Sequence, residues 1–194
     1  VSLFVLCAIL ISCGTSRQGG KKQRKGTKAQ VVLTPEQQRK YDYFFLEASR
    51  LKMKDDYSAA FDLLQHCLTI NPNASSALYE ISQYYMYLKQ VPQGQAALEK
   101  AVENDPDNYW YSQGLASLYQ QQNEMQKATN LLESMATRFS DRMDPLYSLL
   151  DIYNRLEEYD NVITTLNRLE EKMGKNEQLS MEKFRIYLQK KDNQ

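Results

Sequence analysis

Few residues of this chain are of types and spacings that do covalent or metal chemistry. Among 194 residues there are three cysteines and one histidine. No Cys/His metal spacing, no G-x-S-x-G turn and no H-E-x-x-H helix occurs. Gly19-Gly20-Lys21-Lys22 is not a phosphate loop, because it lacks the Gly five residues before Gly20 and the Ser or Thr after the Lys. His66 reads as an exposed structural residue and Cys67, at a small-residue position of a helix, as a buried free thiol. These absences point away from an enzyme. No metal, no cofactor and no small-molecule substrate is expected. One thiol stands apart. Cys13 lies between Ser12 and Gly14, directly behind nine apolar residues, Leu3 to Ile11. As its thiolate, a cysteine is a nucleophile.

The apolar run is too short to span a bilayer, which needs about 20 residues, and suits the h-region of a signal peptide. Leu10-Ile11-Ser12-Cys13 resembles the lipobox of bacterial lipoproteins, with an aliphatic residue at −3 and a small one at −1. The resemblance implies that residues 1–12 are a signal peptide, that Cys13 carries diacylglycerol, and that cleavage falls just before it. Cys7 competes poorly because Leu6 precedes it. No Lys or Arg precedes the run and the chain starts at Val1, which fits either missing residues or an alternative start codon. The other reading is an ordinary secretory signal that happens to contain Cys13. Several acyl chains on one Cys anchor firmly, at about 0.8 kcal/mol per buried methylene. The expected location is the bacterial cell envelope, on a membrane, with the periplasmic side of the outer membrane as first choice.

Charge is unevenly spread. Lys plus Arg equals Asp plus Glu at 24 each, yet residues 14–34 hold Arg17, Lys21, Lys22, Arg24, Lys25 and Lys28 and no acid. The rest therefore carries 18 basic against 24 acidic residues, a net of −6. Residues 13–34 read as a lipid-anchored flexible tether. Its cations either meet anionic head groups, at about 1 kcal/mol each, or are a solvated spacer. A secreted, anchored protein meets little nucleic acid, so none is expected as partner.

The elements that position everything else begin at Thr34. Thr34-Pro35-Glu36-Gln37 has the spacing of a capping box, with Pro35 in the first turn. A long helix is expected from there to about Lys54, a turn at Asp55-Asp56, and a second helix from Tyr57 to about Ile70, stopped by Asn71-Pro72-Asn73. Asn73-Ala74-Ser75 matches a glycosylation sequon but reads as part of this turn. The pattern recurs. Tyr85, Tyr119, Tyr153 and Tyr187 lie 34 residues apart, and Pro106 follows Pro72 at the same interval. A fixed period of this size predicts stacked helical units.

Aligned on that period, the units 41–74, 75–108, 109–142 and 143–176, with a partial unit from 177, resemble tetratricopeptide repeats over nearly all of residues 35–194. The eighth and twentieth positions, where that family wants small residues, hold Ala48 with Ala60, Ser82 with Gly94 and Ala116 with Ala128. The eleventh holds Leu51, Tyr85, Tyr119 and Tyr153; the twenty-fourth Leu64, Leu98, Leu132 and Leu166. Small side chains let two backbones approach and large ones fill the next turn. The fold implied is all-α: an antiparallel helix-pair solenoid, the tetratricopeptide superhelix, with four full repeats and a partial fifth. Repeat 3 departs with Ser140 in place of Pro. Repeat 4 has Gly174 there, and carries Leu150 and Val162 at the crossing, so its helices should splay. The last helix, 177–190, has apolar residues on two sides: Met181, Phe184, Tyr187 and Leu188, and Leu179 with Ile186.

In this family the concave groove is lined by first-helix residues at the second, fifth, ninth, twelfth and thirteenth positions. Here these include Phe45, Tyr79, Gln83, Met86, Tyr87, Trp110, Gln113, Tyr147, Asp151 and Asn154. Phe45 and Ser49 stand where the family's chaperone-tail binders use Lys and Asn to clamp a carboxylate, so that ligand is not expected. Aromatics and amides along a track suit an extended peptide or a helix. Aromatic stripes at helical spacing also simply pack a core, and both readings apply to Tyr79, Tyr87 and Tyr147. The resemblance thus implies a membrane-anchored scaffold or adaptor for a protein partner, similar to lipoproteins that serve barrel assembly or escort secretins. The alternative is the N-terminal interaction array of a longer signalling protein or enzyme.

Overall fold

The computed structural model describes residues 32–192; the expected signal peptide, Cys13 and most of the expected basic tether lie outside the described residues. Nine helices and no strands occur among them: α1 (Pro35–Lys52), α2 (Tyr57–Ile70), α3 (Ser75–Tyr87), α4 (Val91–Asn104), α5 (Tyr109–Gln121), α6 (Met125–Arg138), α7 (Asp144–Arg155), α8 (Tyr159–Met173) and α9 (Glu177–Asp192). The first eight form four pairs, each packed on the next, and α9 packs on α8. The capping box is present at the start: Thr34 Oγ1 accepts from the Gln37 N–H, and Gln37 Oε1 accepts from the Thr34 N–H at 2.9 Å.

The turn inside each pair is built the same way four times. Asp55, Lys89, Asn123 and Glu157, again 34 residues apart, have φ of 61°, 59°, 59° and 56°. The N–H of the following residue reaches back five positions: Asp56 to the Leu51 carbonyl at 3.0 Å, Gln90 to Tyr85 at 2.8 Å, Glu124 to Tyr119 at 2.8 Å and Glu158 to Tyr153 at 2.9 Å. This left-handed close satisfies a carbonyl that the helix end would leave orphaned. Its acceptors are the eleventh-position residues that mark the period. None of the four left-handed residues is glycine, so each turn carries some strain.

The helix pairs meet where the side chains are smallest. Ala48, Ala60, Ser82, Ala116 and Ala128 are all buried. A Cβ on Gly94 would lie 2.7 Å from the Met86 Cε and 3.1 Å from the Ser82 carbonyl oxygen, so α3 and α4 cross too closely for any other residue without movement. At the repeat 4 crossing the larger residues are accommodated with Val162 buried and Leu150 half-buried.

The tyrosine period has a second use. Tyr119 donates to Glu99 Oε1 at 2.9 Å and Tyr153 to Glu133 Oε1 at 3.3 Å, each linking a first helix to the second helix of the preceding repeat. The apolar core is correspondingly continuous along the stack. One cluster runs from Ala48 to Ala101, the next from Leu98 to Ile186, and Tyr79 packs against both. Gly174 turns the chain into α9 at φ 80° and ψ 166°, a region that only glycine enters readily. Of the two apolar sides of α9, Ile186 is buried and Leu179 packs against the core, while Met181, Phe184, Tyr187 and Leu188 are exposed.

Two outcomes follow for stability. Gly94→Ala should lower the urea midpoint by overpacking, at about 1–3 kcal/mol. Gly114→Ala should raise stability by about 0.5–1 kcal/mol, because a helical Gly is replaced where the new Cβ would stand 3.6 Å from Tyr79, an ordinary contact. Equal effects at the two sites would contradict the close crossing. For Tyr119, burial first and the Glu99 hydrogen bond second push the hydroxyl well above its usual range. A raised folded value gives stability that is complete below the unfolded tyrosine pKa of about 10 and is lost as pH rises through the folded value. Denaturant midpoints should be flat below about pH 9 and fall above about pH 10, with a shallower fall in Tyr119→Phe. An unchanged alkaline slope in that variant would contradict the assignment.

Candidate functional site

Phe45 on α1, Tyr79 on α3 and Trp110 at the start of α5 come together. With Ser76, Glu80, Asn108 and Tyr111 they line an open cavity of about 400 Å³. The repeat explains the arrangement. Phe45 and Tyr79 occupy the same position in successive repeats, so stacking the pairs sets them side by side.

Aromatic contacts hold the walls. Tyr41 stacks on Phe45 with centroids 5.9 Å apart and planes 8° apart, and its hydroxyl is 3.0 Å from Ser76 Oγ. Tyr79 and Tyr111 lie 4.8 Å apart at 31°. Asn108 caps α5 by accepting the Trp110 N–H at 3.1 Å. Trp110 meets Tyr109 edge-on at 5.3 Å and remains 63% exposed. Arg142 stacks over Tyr109 at 4.0 Å and lies 5.6 Å from the Trp110 ring. A large exposed aromatic beside half-buried ones offers apolar area at low entropic cost to a ligand.

Glu80 is the one carboxylate in the lining, and Lys52 Nζ reaches it at 2.7 Å from the neighbouring helix. The Tyr111 hydroxyl is pushed up by burial, then by Asp105, Tyr41, Glu80 and Tyr79. Tyr41 is also pushed up by burial, against a lowering hydrogen bond from Ser76.

The remaining sequence-predicted residues are scattered along the first helices. Gln83 is exposed and its amide donates to Ser82 Oγ at 3.2 Å. Tyr87 is exposed near the end of α3. Met86 lies over Gly94, so its thioether fills the α3/α4 crossing. Gln113 accepts from the Tyr109 hydroxyl at 3.1 Å. The Tyr147 hydroxyl lies 3.4 Å from Met173 Sδ. Asp151 pairs with Arg155 at 3.7 Å, and Asn154 is exposed.

Sequence reasoning missed Ser76, Glu80, Asn108 and Tyr111. Ser76 shares its repeat position with Trp110 and was open to the same logic. Tyr111, Glu80 and Asn108 fall outside the family's groove positions, and no spacing signal marks them. A larger depression of about 540 Å³ lies on α6, lined by Glu133, Ser134, Thr137 and Arg138. It has no aromatic, and its charges are committed: Glu133 to Arg168 at 2.7 Å and Arg138 to Asp107 at 2.5 Å.

Among the described residues, the single His and Cys gather no chemistry. His66 is exposed, 5.6 Å from the Phe44 ring. Cys67 is buried, and burial pushes its thiol up to about 11, which keeps it protonated and unreactive. Among the described residues no group of His, Cys, Asp and Glu could hold a metal ion, and no helix is long and apolar enough to cross a membrane.

Residues 75–108 match the family model described as a tetratricopeptide repeat. A search of curated proteins returns no match. Among solved structures, MamA is similar at 19% identity and a TM-score of 0.58, over 70% of this chain and 74% of that one. A tetratricopeptide repeat protein from Parabacteroides merdae is similar at 16% identity and a TM-score of 0.61, over 74% of this chain; the match spans 57% of that protein. YrrB, described as a tetratricopeptide protein with an unusual peptide-binding site, is similar at 13% identity and a TM-score of 0.58, over 76% of each chain. At these identities the likeness establishes the fold. The architecture is the tetratricopeptide solenoid, with residues 75–108 as its recognisable repeat.

Proposed function

We propose that this chain is a non-enzymatic scaffold of the bacterial cell envelope, anchored through lipid on Cys13, that holds an extended peptide of a partner protein along the concave face of α1, α3 and α5. The observation that carries the reading is the open cavity where Phe45, Tyr79 and Trp110 converge from three successive repeats. An extended strand gains most from such a track by placing alternate side chains in pockets. The fold shared with YrrB supports a peptide as ligand, since peptide binding is named for that protein.

A second reading, an interaction array within a longer protein, has one observation in its favour. Met181, Phe184, Tyr187 and Leu188 are exposed on α9, and Phe184 and Tyr187 hold the eighth and eleventh positions, which are buried or half-buried in repeats 1 to 4.

Tyr79→Ala combined with Trp110→Ala should weaken partner binding at least about tenfold, measured below the lowered melt expected because Tyr79 also packs against both core clusters; undiminished binding by the folded variant would remove the groove from the account. Cys13→Ala should move the protein from the membrane to the soluble fraction of native cells. Continued partition with membranes would contradict the anchor.

A further inference from the structure

We propose that the cavity between α1, α3 and α5 is a receptor for a cationic side chain, an arginine of the bound peptide, held among aromatic rings with its charge on Glu80. The inference rests on the groove reading above and names the chemistry of its ligand.

Four of the lining side chains, Phe45, Tyr79, Trp110 and Tyr111, are aromatic. Ring faces carry negative quadrupole potential and attract guanidinium groups within about 6 Å. The chain already does this once at the rim, where Arg142 lies 4.0 Å from the Tyr109 ring and 5.6 Å from that of Trp110. Arg142 is held there by Asp144 at 3.7 Å, and no cation lines the cavity itself. Glu80 presents the one carboxylate of the lining, beside Lys52, and Asp105 and Glu80 are the carboxylates that act on the Tyr111 hydroxyl.

One competitor is present. Lys52 holds Glu80 at 2.7 Å, but both side chains are partly exposed, at 48% and 28%. Such a pair exchanges easily. A guanidinium is planar, weakly hydrated and able to grip both carboxylate oxygens, so it displaces an ammonium from such a site. Lys52 thus acts as the resting occupant of the carboxylate, released when the peptide arrives.

Trp110 is the single tryptophan of the chain, so its emission reports on this cavity alone. The test titrates the full chain with the blocked heptapeptide Ala-Leu-Ser-Arg-Leu-Ser-Ala and with two copies in which citrulline or glutamate replaces the arginine. The arginine peptide should shift Trp110 emission and bind about tenfold more tightly than the citrulline peptide, with added salt narrowing the gap. Glu80→Gln should narrow the gap between those two peptides, and Lys52→Gln should tighten the arginine peptide. Equal binding of the arginine and citrulline peptides would overturn the cation site and leave the groove standing. Preference for glutamate, or weaker arginine binding in Lys52→Gln, would overturn it by showing that the lysine is the recognition element. Failure of all three peptides to perturb Trp110 would overturn both this inference and the groove reading.

Discussion

Everything in this molecule depends on how closely the two helices of a repeat approach. At Gly94 a Cβ would stand 3.1 Å from the Ser82 carbonyl oxygen and would displace the end of the Met86 side chain. Close approach within a pair sets where the next pair stacks, and stacking places equivalent side chains of successive first helices beside one another. The left-handed turn after each first helix keeps the geometry repeating. Its hydrogen bond ends on the same eleventh-position residue whose side chain, at Tyr119 and Tyr153, ties back to the previous repeat. One residue position therefore closes the turn through its backbone and links the stack through its hydroxyl.

Much of this was legible in the sequence because repetition amplifies weak signals. The small residues at the crossings, the capping box at Thr34 and the end of the second helix at Ile70 all lie where the pattern put them. The strained turns were not legible. Asp, Lys, Asn and Glu share no property that announces a left-handed backbone, and only their spacing relates them.

The candidate site shows the same division. Phe45, Tyr79 and Trp110 could be named from repeat position, since each holds a position expected to line the groove. Tyr111, Glu80 and Asn108 could not, because they enter the cavity through contacts between repeats: a ring packed on Tyr79, a carboxylate held by Lys52, a cap on α5. Met86 shows the reverse error. Its position promised a groove contact, but the absence of a side chain at Gly94 draws its thioether into the crossing. The chain's function, on this account, comes from surface left over by the stack and needs no catalytic group. Aromatics too large to bury fully are presented in a row, beside a carboxylate with a replaceable partner.

The most direct test of the central claim, that this concave row is where a partner binds, is site-specific photo-crosslinking in native cells. A photoreactive phenylalanine analogue would replace Tyr79 in one strain and Thr137, on the α6 surface, in another. The account predicts a discrete protein adduct from position 79 that excess peptide competes away, and no such adduct from position 137. The same adducts from both positions, or adducts from position 137 alone, would contradict it.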